Sequence, residues 1–307
     1  MTRVRRFLHR AEFLLAHTLI FGIRRVSPDR ASTIGGTVTR AIGPLLPVSR
    51  VADANLRLAL PQLNRVQRRG VIAAAWENLG RTVAEFPHLG ALRENTPKGP
   101  GWSVRNSHIL KEAAERGGPV IFVSGHIGNW EIMPLAVARY GLPFASFYRA
   151  AGNPLIDGLI RSLRQDAMKM ALPNFPKGAQ GARQALRHLA KGGHLGILAD
   201  QKMNDGIEAE FFGLRAMTAS AAATFALRYQ CPVITGYVRR LGPARLELVV
   251  EPMLTIEATA DRQSDIARVT QALNDRIESA IRCDPGAWLW LHRRWPKDLM
   301  PKPGQRT

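Results

Sequence analysis

The side chains that first invite a chemical reading are His126 and Glu131, in the run Ser124-Gly125-His126-Ile127-Gly128-Asn129-Trp130-Glu131. An imidazole beside a carboxylate makes a general base. The carboxylate accepts a hydrogen bond from one ring nitrogen, fixes the tautomer and leaves the other nitrogen basic. On a regular helix, five residues would turn the two side chains about 140° apart. They meet only if His126 stands on a strand-to-helix turn and Glu131 lies in the first turn of the helix, with Gly125 and Gly128 supplying the backbone freedom. No G-x-S-x-G elbow occurs in the chain, and neither Cys231 nor Cys283 is near His126. A covalent intermediate is therefore disfavoured, and the base is expected to act on a hydroxyl of the substrate itself. The bland alternative is a histidine that caps a helix beside a solvated glutamate.

A strand-to-helix turn needs a sheet to carry it, and the surrounding pattern supplies one. Pro119–Val123, Pro143–Tyr148, His194–Ala199, Pro232–Val238 and Arg245–Val250 read as short strands. Between and after them, helical periodicity covers Trp130–Arg139, Pro154–Met170, Gly181–Lys191, Ala219–Tyr229 and Asp265–Arg282. Strands alternating with helices predict an α/β fold: a mainly parallel central sheet flanked by helices. In such sheets working residues stand beyond the carboxyl ends of strands, where His126 falls. Val51 to about Leu92 reads as helical, Asn95–Gly101 as a connector, and Pro296–Thr307 as a loose tail. No internal repeat or low-complexity tract is present.

The chain has 307 residues, 46% of them hydrophobic, which excludes a disordered or fibrous protein. Lys and Arg number 43 against 24 Asp and Glu, for a net charge of +19. Such a surface attracts anions: nucleic acid, an anionic membrane or an acidic protein. Two cysteines without C-x-x-C spacing give no disulfide framework or structural zinc site, which suits a reducing compartment. Arg3, Arg5, Arg6 and Arg10 precede an apolar stretch, Phe13–Ile23, that Arg24 and Arg25 close. Its eleven residues fall short of the roughly 18 of a spanning helix, and no small-residue cleavage site marks it as a signal. Residues 1–30 are expected to form a membrane-associating helix lying in the interface, and residues 31–307 a single domain.

The run Gly125–Glu131 resembles the signature of the bacterial late acyltransferases of lipid A biosynthesis, the lauroyl/myristoyl branch of the lysophospholipid acyltransferase superfamily. The resemblance continues through Tyr148-Arg149 with Asn153-Pro154-Leu155, Ala199-Asp200-Gln201, Phe211-Phe212-Gly213 with Thr218, and Trp290-Leu291-His292-Arg293-Arg294-Trp295. It spans nearly the whole chain, about Arg3 to Trp295. It implies transfer of a fatty acyl group from an acyl carrier protein thioester to a hydroxyl of a lipid A precursor, at the cytoplasmic face of the inner membrane. It also implies that His126 is the base, that Glu131 orients it, and that neither metal nor cofactor takes part. The +19 charge would recruit both the acidic carrier and the anionic lipid acceptor.

The remaining candidates are assigned to substrate binding. Arg149 ends the second strand and suits a phosphate or the developing oxyanion. Arg161 and Arg164 are neighbours on one helix face and suit an acceptor phosphate. Asp200 would position the acceptor or pair with an arginine. Asn129 joins them from the His126 run, whose amides around Gly128–Trp130 are candidate oxyanion donors. The tryptophans around His292-Arg293-Arg294 suit core packing, a membrane or the acceptor, and suit nucleic acid less well. Rival readings are the same chemistry on a lysophospholipid, ornithine lipid or glycolipid, a non-catalytic membrane- or RNA-binding basic protein, and a metallohydrolase built on His126, Glu131 and His292.

Overall fold

A computed structural model describes residues 3–94 and 99–300. Residues 95–98 of the expected connector and 301–307 of the expected tail lie outside the described residues. The N-terminal part is helical: α1 (Arg3–Arg24), α2 (Pro28–Ile42), α3 (Ser49–Ala59) and α4 (Arg65–Glu85). The helix expected over Phe13–Ile23 is thus the second half of a longer one. None of the described helices is long and apolar enough to cross a membrane. The continuous helical stretch expected from Val51 is two helices, because Pro61 lacks an amide hydrogen and disfavours helical geometry at Leu60. Asn64 then restarts the chain. Its Oδ1 accepts from the amides of Val66 and Gln67 at 2.9 and 3.0 Å, and Gln67 Oε1 accepts from the Asn64 amide at 2.8 Å.

The α/β part begins with β1 (Arg93–Glu94), β2 (Gly101–Arg105), α5 (Ser107–Arg116), β3 (Ile121–Ser124) and α6 (Met133–Ala138). It continues through β4 (Phe144–Tyr148), α7 (Pro154–Met168), β5 (Asn174–Pro176), α8 (Ala179–Ala190) and β6 (His194–Leu198). It ends with β7 (Ile207–Phe211), β8 (Leu214–Thr218), α9 (Ala221–Tyr229), β9 (Val233–Gly242), β10 (Arg245–Val250) and α10 (Arg262–Cys283). The main sheet runs β1-β2-β10-β9-β3-β6-β4-β5, and of the described pairings within it only β9–β10 is antiparallel. The mainly parallel sheet flanked by helices is therefore the observed fold. The separate hairpin β7–β8 turns at Phe212 and Gly213 with φ of 57° and 69°. That is the φ pattern of a type I′ turn, without the Asn-Gly or Asp-Gly pair that announces one.

Parallel strands in such a sheet bury both faces, and β3 shows it. Ile121 and Val123 enter one apolar cluster and Phe122 the other. The C-terminal tryptophans settle into the first cluster. Trp288, Trp290 and Trp295 are fully buried against Phe211 and Phe212 of the hairpin, so of the readings open to these tryptophans core packing is the observed one. Arg294 is buried with them, donating to the Met217 carbonyl and Thr218 Oγ1 at 2.9 and 2.7 Å.

Glu85, at the end of α4 and wholly buried, ties these parts together. It accepts from Ser32 of α2 at 2.6 Å, from Asn129 at 2.7 Å, from the Ala244 amide at 3.0 Å and from the Arg240 guanidinium. Removing one partner of a buried ion pair leaves the other charge desolvated, which costs about 3–5 kcal/mol. Glu85→Ala is expected to lower unfolding stability by about that amount, read as a shift of the urea midpoint; a change within experimental error would contradict it.

Candidate active site

Beyond Ser124 the chain turns sharply, held from two sides. Gly128 has φ +61°, and a Cβ there would stand 2.0 Å from the Val238 carbonyl oxygen, so only glycine fits. Asn78 of α4 donates to the carbonyls of Gly128 and Ala287, each at 3.0 Å, and Thr82 donates to Gly128 at 3.2 Å. The Gly128 amide donates to Ala287 at 3.0 Å, and the Leu289 amide to the His126 carbonyl at 3.1 Å. Asn129, fully buried, accepts from the Glu131 amide at 3.2 Å and starts the 3-10 turn Trp130–Ile132 that leads into α6. Its amide group is spent on Glu85. The expected contact of Asn129 with substrate therefore gives way to a positioning role inside the protein.

His126 stands on the strand-to-helix turn as the spacing required, but its partner is a different carboxylate. Its Nδ1 lies 2.8 Å from Asp200 Oδ1, and its own amide donates to Asp200 Oδ2 at 2.9 Å. Trp288 Nε1 also donates to Asp200 Oδ2, at 2.7 Å. Glu131 is instead clasped by Arg164: Nε to Oε2 at 3.0 Å and a terminal nitrogen to Oε1 at 2.7 Å. A guanidinium offers two parallel donors that match both oxygens of a carboxylate. The expected Glu131–imidazole hydrogen bond is replaced for that reason. Asp200, expected to hold the acceptor or an arginine, is sealed behind the imidazole with no exposed surface.

The charges follow from this packing. Burial alone would depress the His126 imidazole, but the charge and hydrogen bond of Asp200, with the charge of Glu131, outweigh it and raise its pKa above the ordinary value. Burial would raise the Asp200 carboxyl, yet the charge and hydrogen bonds of the His126 imidazole and amide hold it far below the usual carboxylate range. His292 itself is pushed down chiefly by burial, and its ring packs edge-on against Trp288 at 5.5 Å. It therefore stays neutral behind the pair. With Nδ1 facing a carboxylate, the basic nitrogen of His126 is Nε2. Among the described residues no group of three or more His, Cys, Asp or Glu is placed to hold a metal ion.

In front of His126 opens a cavity of about 540 Å³. It lies between the sheet and α6 and α7, lined from the strands by Phe122 and Ser124, Phe144 and Ser146, and Gly196 and Leu198. Each pair is two residues apart and so lies on one face of its strand. A Cβ on Gly196 would meet the Phe144 ring at 2.2 Å, so glycine lets that aromatic wall lie flat against the sheet. Leu89, Met133, Leu135 and Met168 extend the apolar lining, while Arg149, Arg161, Arg164 and Lys177 supply positive charge. Arg161 pairs with Asp157 at 3.2 Å, and Asp157 also accepts from Tyr148 at 2.5 Å, with the phenol pushed up to about 12, first by burial. The two arginines three apart on α7 thus reach the cavity together, each already paired with a carboxylate. Arg149 is exposed.

Lys177 and Trp288 lack any spacing relation to His126 and were not singled out by the sequence. The placement of Lys177 after a short strand was the available sign. In an NMR titration the His126 ring is expected to protonate with a midpoint above that of an ordinary histidine, and Asp200→Asn is expected to lower that midpoint by removing the charge that favours the imidazolium. A midpoint unmoved in Asp200→Asn would show that the pair is not formed in solution.

A model of the bacterial lipid A biosynthesis acyltransferase family matches residues 1–297. A lipid A biosynthesis acyltransferase of Haemophilus influenzae is 22% identical over 245 residues, covering 78% of this chain and 73% of that protein. A crystal structure of the 1-acyl-sn-glycerophosphate acyltransferase of Thermotoga maritima is similar over 78% of this chain and 98% of its own, with 12% identity and a TM-score of 0.36. With the match running from the first helix through the buried C-terminal tryptophans, the chain belongs to the bacterial lipid A biosynthesis acyltransferase family and is an acyltransferase.

Proposed function

We propose that this enzyme moves a fatty acyl group from an acyl carrier protein thioester to a hydroxyl of a lipid A precursor, with His126 as general base. The observation that carries the reading is the position of the imidazole, oriented by buried Asp200 and opening onto an apolar cavity rimmed by cations. The acyl chain lies along the Phe122, Phe144 and Leu135 walls, gaining about 25 cal/mol for each Å² of apolar surface buried. Its carbonyl then rests at the mouth, near His126. Nε2 takes the proton of the acceptor hydroxyl as the oxygen attacks the carbonyl carbon, and Asp200 stabilises the imidazolium. When the tetrahedral intermediate collapses, the C–S bond breaks and the sulfur leaves with the proton from Nε2. Glu131 serves by holding Arg164 on the cavity wall, and Arg149 and Arg161 meet anionic groups of donor and acceptor at its rim.

The expected membrane association has a surface to support it. Phe7, Leu8, Leu14, Leu15, Leu19 and Phe21 of α1 are all more than half exposed, and Ile34, Val38 and Ile42 line up four apart on α2. Arginines flank the run on α1, as an anionic cytoplasmic leaflet would require. The first helix is also fastened to the active-site region: Asn153, at the start of α7, donates to the His9 carbonyl at 2.9 Å and to Glu12 at 2.7 Å.

His126→Ala is expected to keep its fold and lose about 10²–10⁴ in turnover, measured with acyl carrier protein thioesters and a tetra-acylated lipid A precursor by release of carrier thiol and mass of the lipid product. Near-normal turnover would exclude His126 as the base. Because the base works only when neutral, kcat/KM is expected to rise with pH along a limb centred above the ordinary histidine pKa. Co-sedimentation with vesicles containing anionic lipid is expected to weaken in Leu15→Glu and at high salt; equal binding by the variant would remove α1 from the membrane surface.

A further inference from the structure

Attack on a thioester puts a negative charge on the carbonyl oxygen, and donors or a cation must already be aimed at that point. Part of the backbone of the turn that bears His126 is already committed. The amides of Ile127 and Gly128 are bonded to the carbonyls of Gly125 and Ala287, and that of Glu131 to Asn129 Oδ1. Of the cations on the cavity wall, Arg164 is held by Glu131 and Arg161 by Asp157. Arg149 and Lys177 have no carboxylate partner among the described residues. Lys177 follows β5, whose Asn174–Pro176 backbone pairs with Ser146–Tyr148 of β4. It therefore issues from the same carboxyl edge of the sheet as His126, Arg149 and Asp200, and it lines the same cavity.

We infer that Lys177 binds the oxyanion of the tetrahedral intermediate, an inference that rests on the acyl-transfer reading of the His126 site. As the hydroxyl oxygen bonds to the carbonyl carbon, the C=O π electrons move to an oxygen facing the Lys177 ammonium while the hydroxyl proton passes to Nε2. Collapse returns the electrons to the carbonyl and expels the sulfur, which takes the proton. The imidazole already feels this lysine. Asp200 from the end of β6 and Glu131 from the 3-10 turn favour the imidazolium, whereas the charge of Lys177 opposes it. Arg164 from α7, locked to Glu131, and neutral His292 behind Asp200 complete the charged and titratable surroundings. One ammonium would thus partly offset the pull of Asp200 and Glu131 toward the imidazolium before the reaction and meet the negative charge during it.

The test compares Lys177→Met and Lys177→Arg in the full chain. Lys177→Met is expected to raise the NMR midpoint of His126, with Lys177→Arg close to wild type. In the assay with carrier thioester and lipid acceptor, Lys177→Met is expected to lose about 10²-fold in kcat at little-changed KM for either substrate, to shift its acid limb upward, and to be largely rescued by Lys177→Arg. An unmoved His126 midpoint overturns the inference whether or not the protein transfers acyl groups. Active wild type with kcat unchanged in Lys177→Met, or with only KM raised, overturns the oxyanion role alone. Absence of transfer by the wild type overturns the acyl-transfer reading and the oxyanion role with it.

Discussion

A carboxylate with no contact to water must be met by donors or the protein does not fold around it as an ion. Asp200 is such a group, and the site is built by satisfying it. Its three donors come from two segments: the ring and amide of His126 after β3, and the indole of Trp288 near the C-terminus. Each bond fixes one element. The turn cannot rotate without losing the amide bond, the imidazole cannot flip without losing Nδ1, and the C-terminal segment is drawn under the sheet by its tryptophan. The same segment then supplies the carbonyl of Ala287 to Gly128 and the amide of Leu289 to His126, so the turn is gripped along its length.

A second buried acid does for the scaffold what Asp200 does for the site. Glu85 gathers α2, Asn129 and the β9–β10 connection onto the end of α4. Asn129 is the link between the two, since it binds Glu85 with its amide group and sets the start of the 3-10 turn with its carbonyl oxygen. The helices α2 and α4 are in this way part of what holds His126 in place. The first helix is joined too, through Asn153 and Glu12, so its exposed apolar residues are tied to α7, which lines the cavity.

Much of this was legible before any coordinates. The strands at Pro143–Tyr148 and Arg245–Val250 and the helix through Asp265–Arg282 announce themselves because buried parallel strands and amphipathic helices have periodicities that few other arrangements produce. The hairpin β7–β8 did not, since its turn uses Phe212 in a left-handed conformation that a phenylalanine seldom adopts. The break at Pro61 is written in the sequence, but the helical periodicity on either side of it masks it. The tryptophans near the C-terminus had several meanings in sequence, and burial selected one.

By itself the sequence determined that His126 would stand on a strand-to-helix turn, because an apolar run leading into a glycine-framed turn leaves it little choice. It also determined the excess of positive charge and the class of sheet. Only the tertiary structure decided which acid the imidazole would face. Five residues of spacing brought Glu131 into the neighbourhood, but Arg164, 33 residues away, claimed it. Asp200, 74 residues away, took its place, because β3 and β6 pair in parallel with Ser124 opposite Leu198, and this carries Asp200 to the base of the imidazole. Spacing along a chain governs geometry within a turn or two; the partner of a side chain at a strand end is set by the register of the neighbouring strand, which no local pattern encodes.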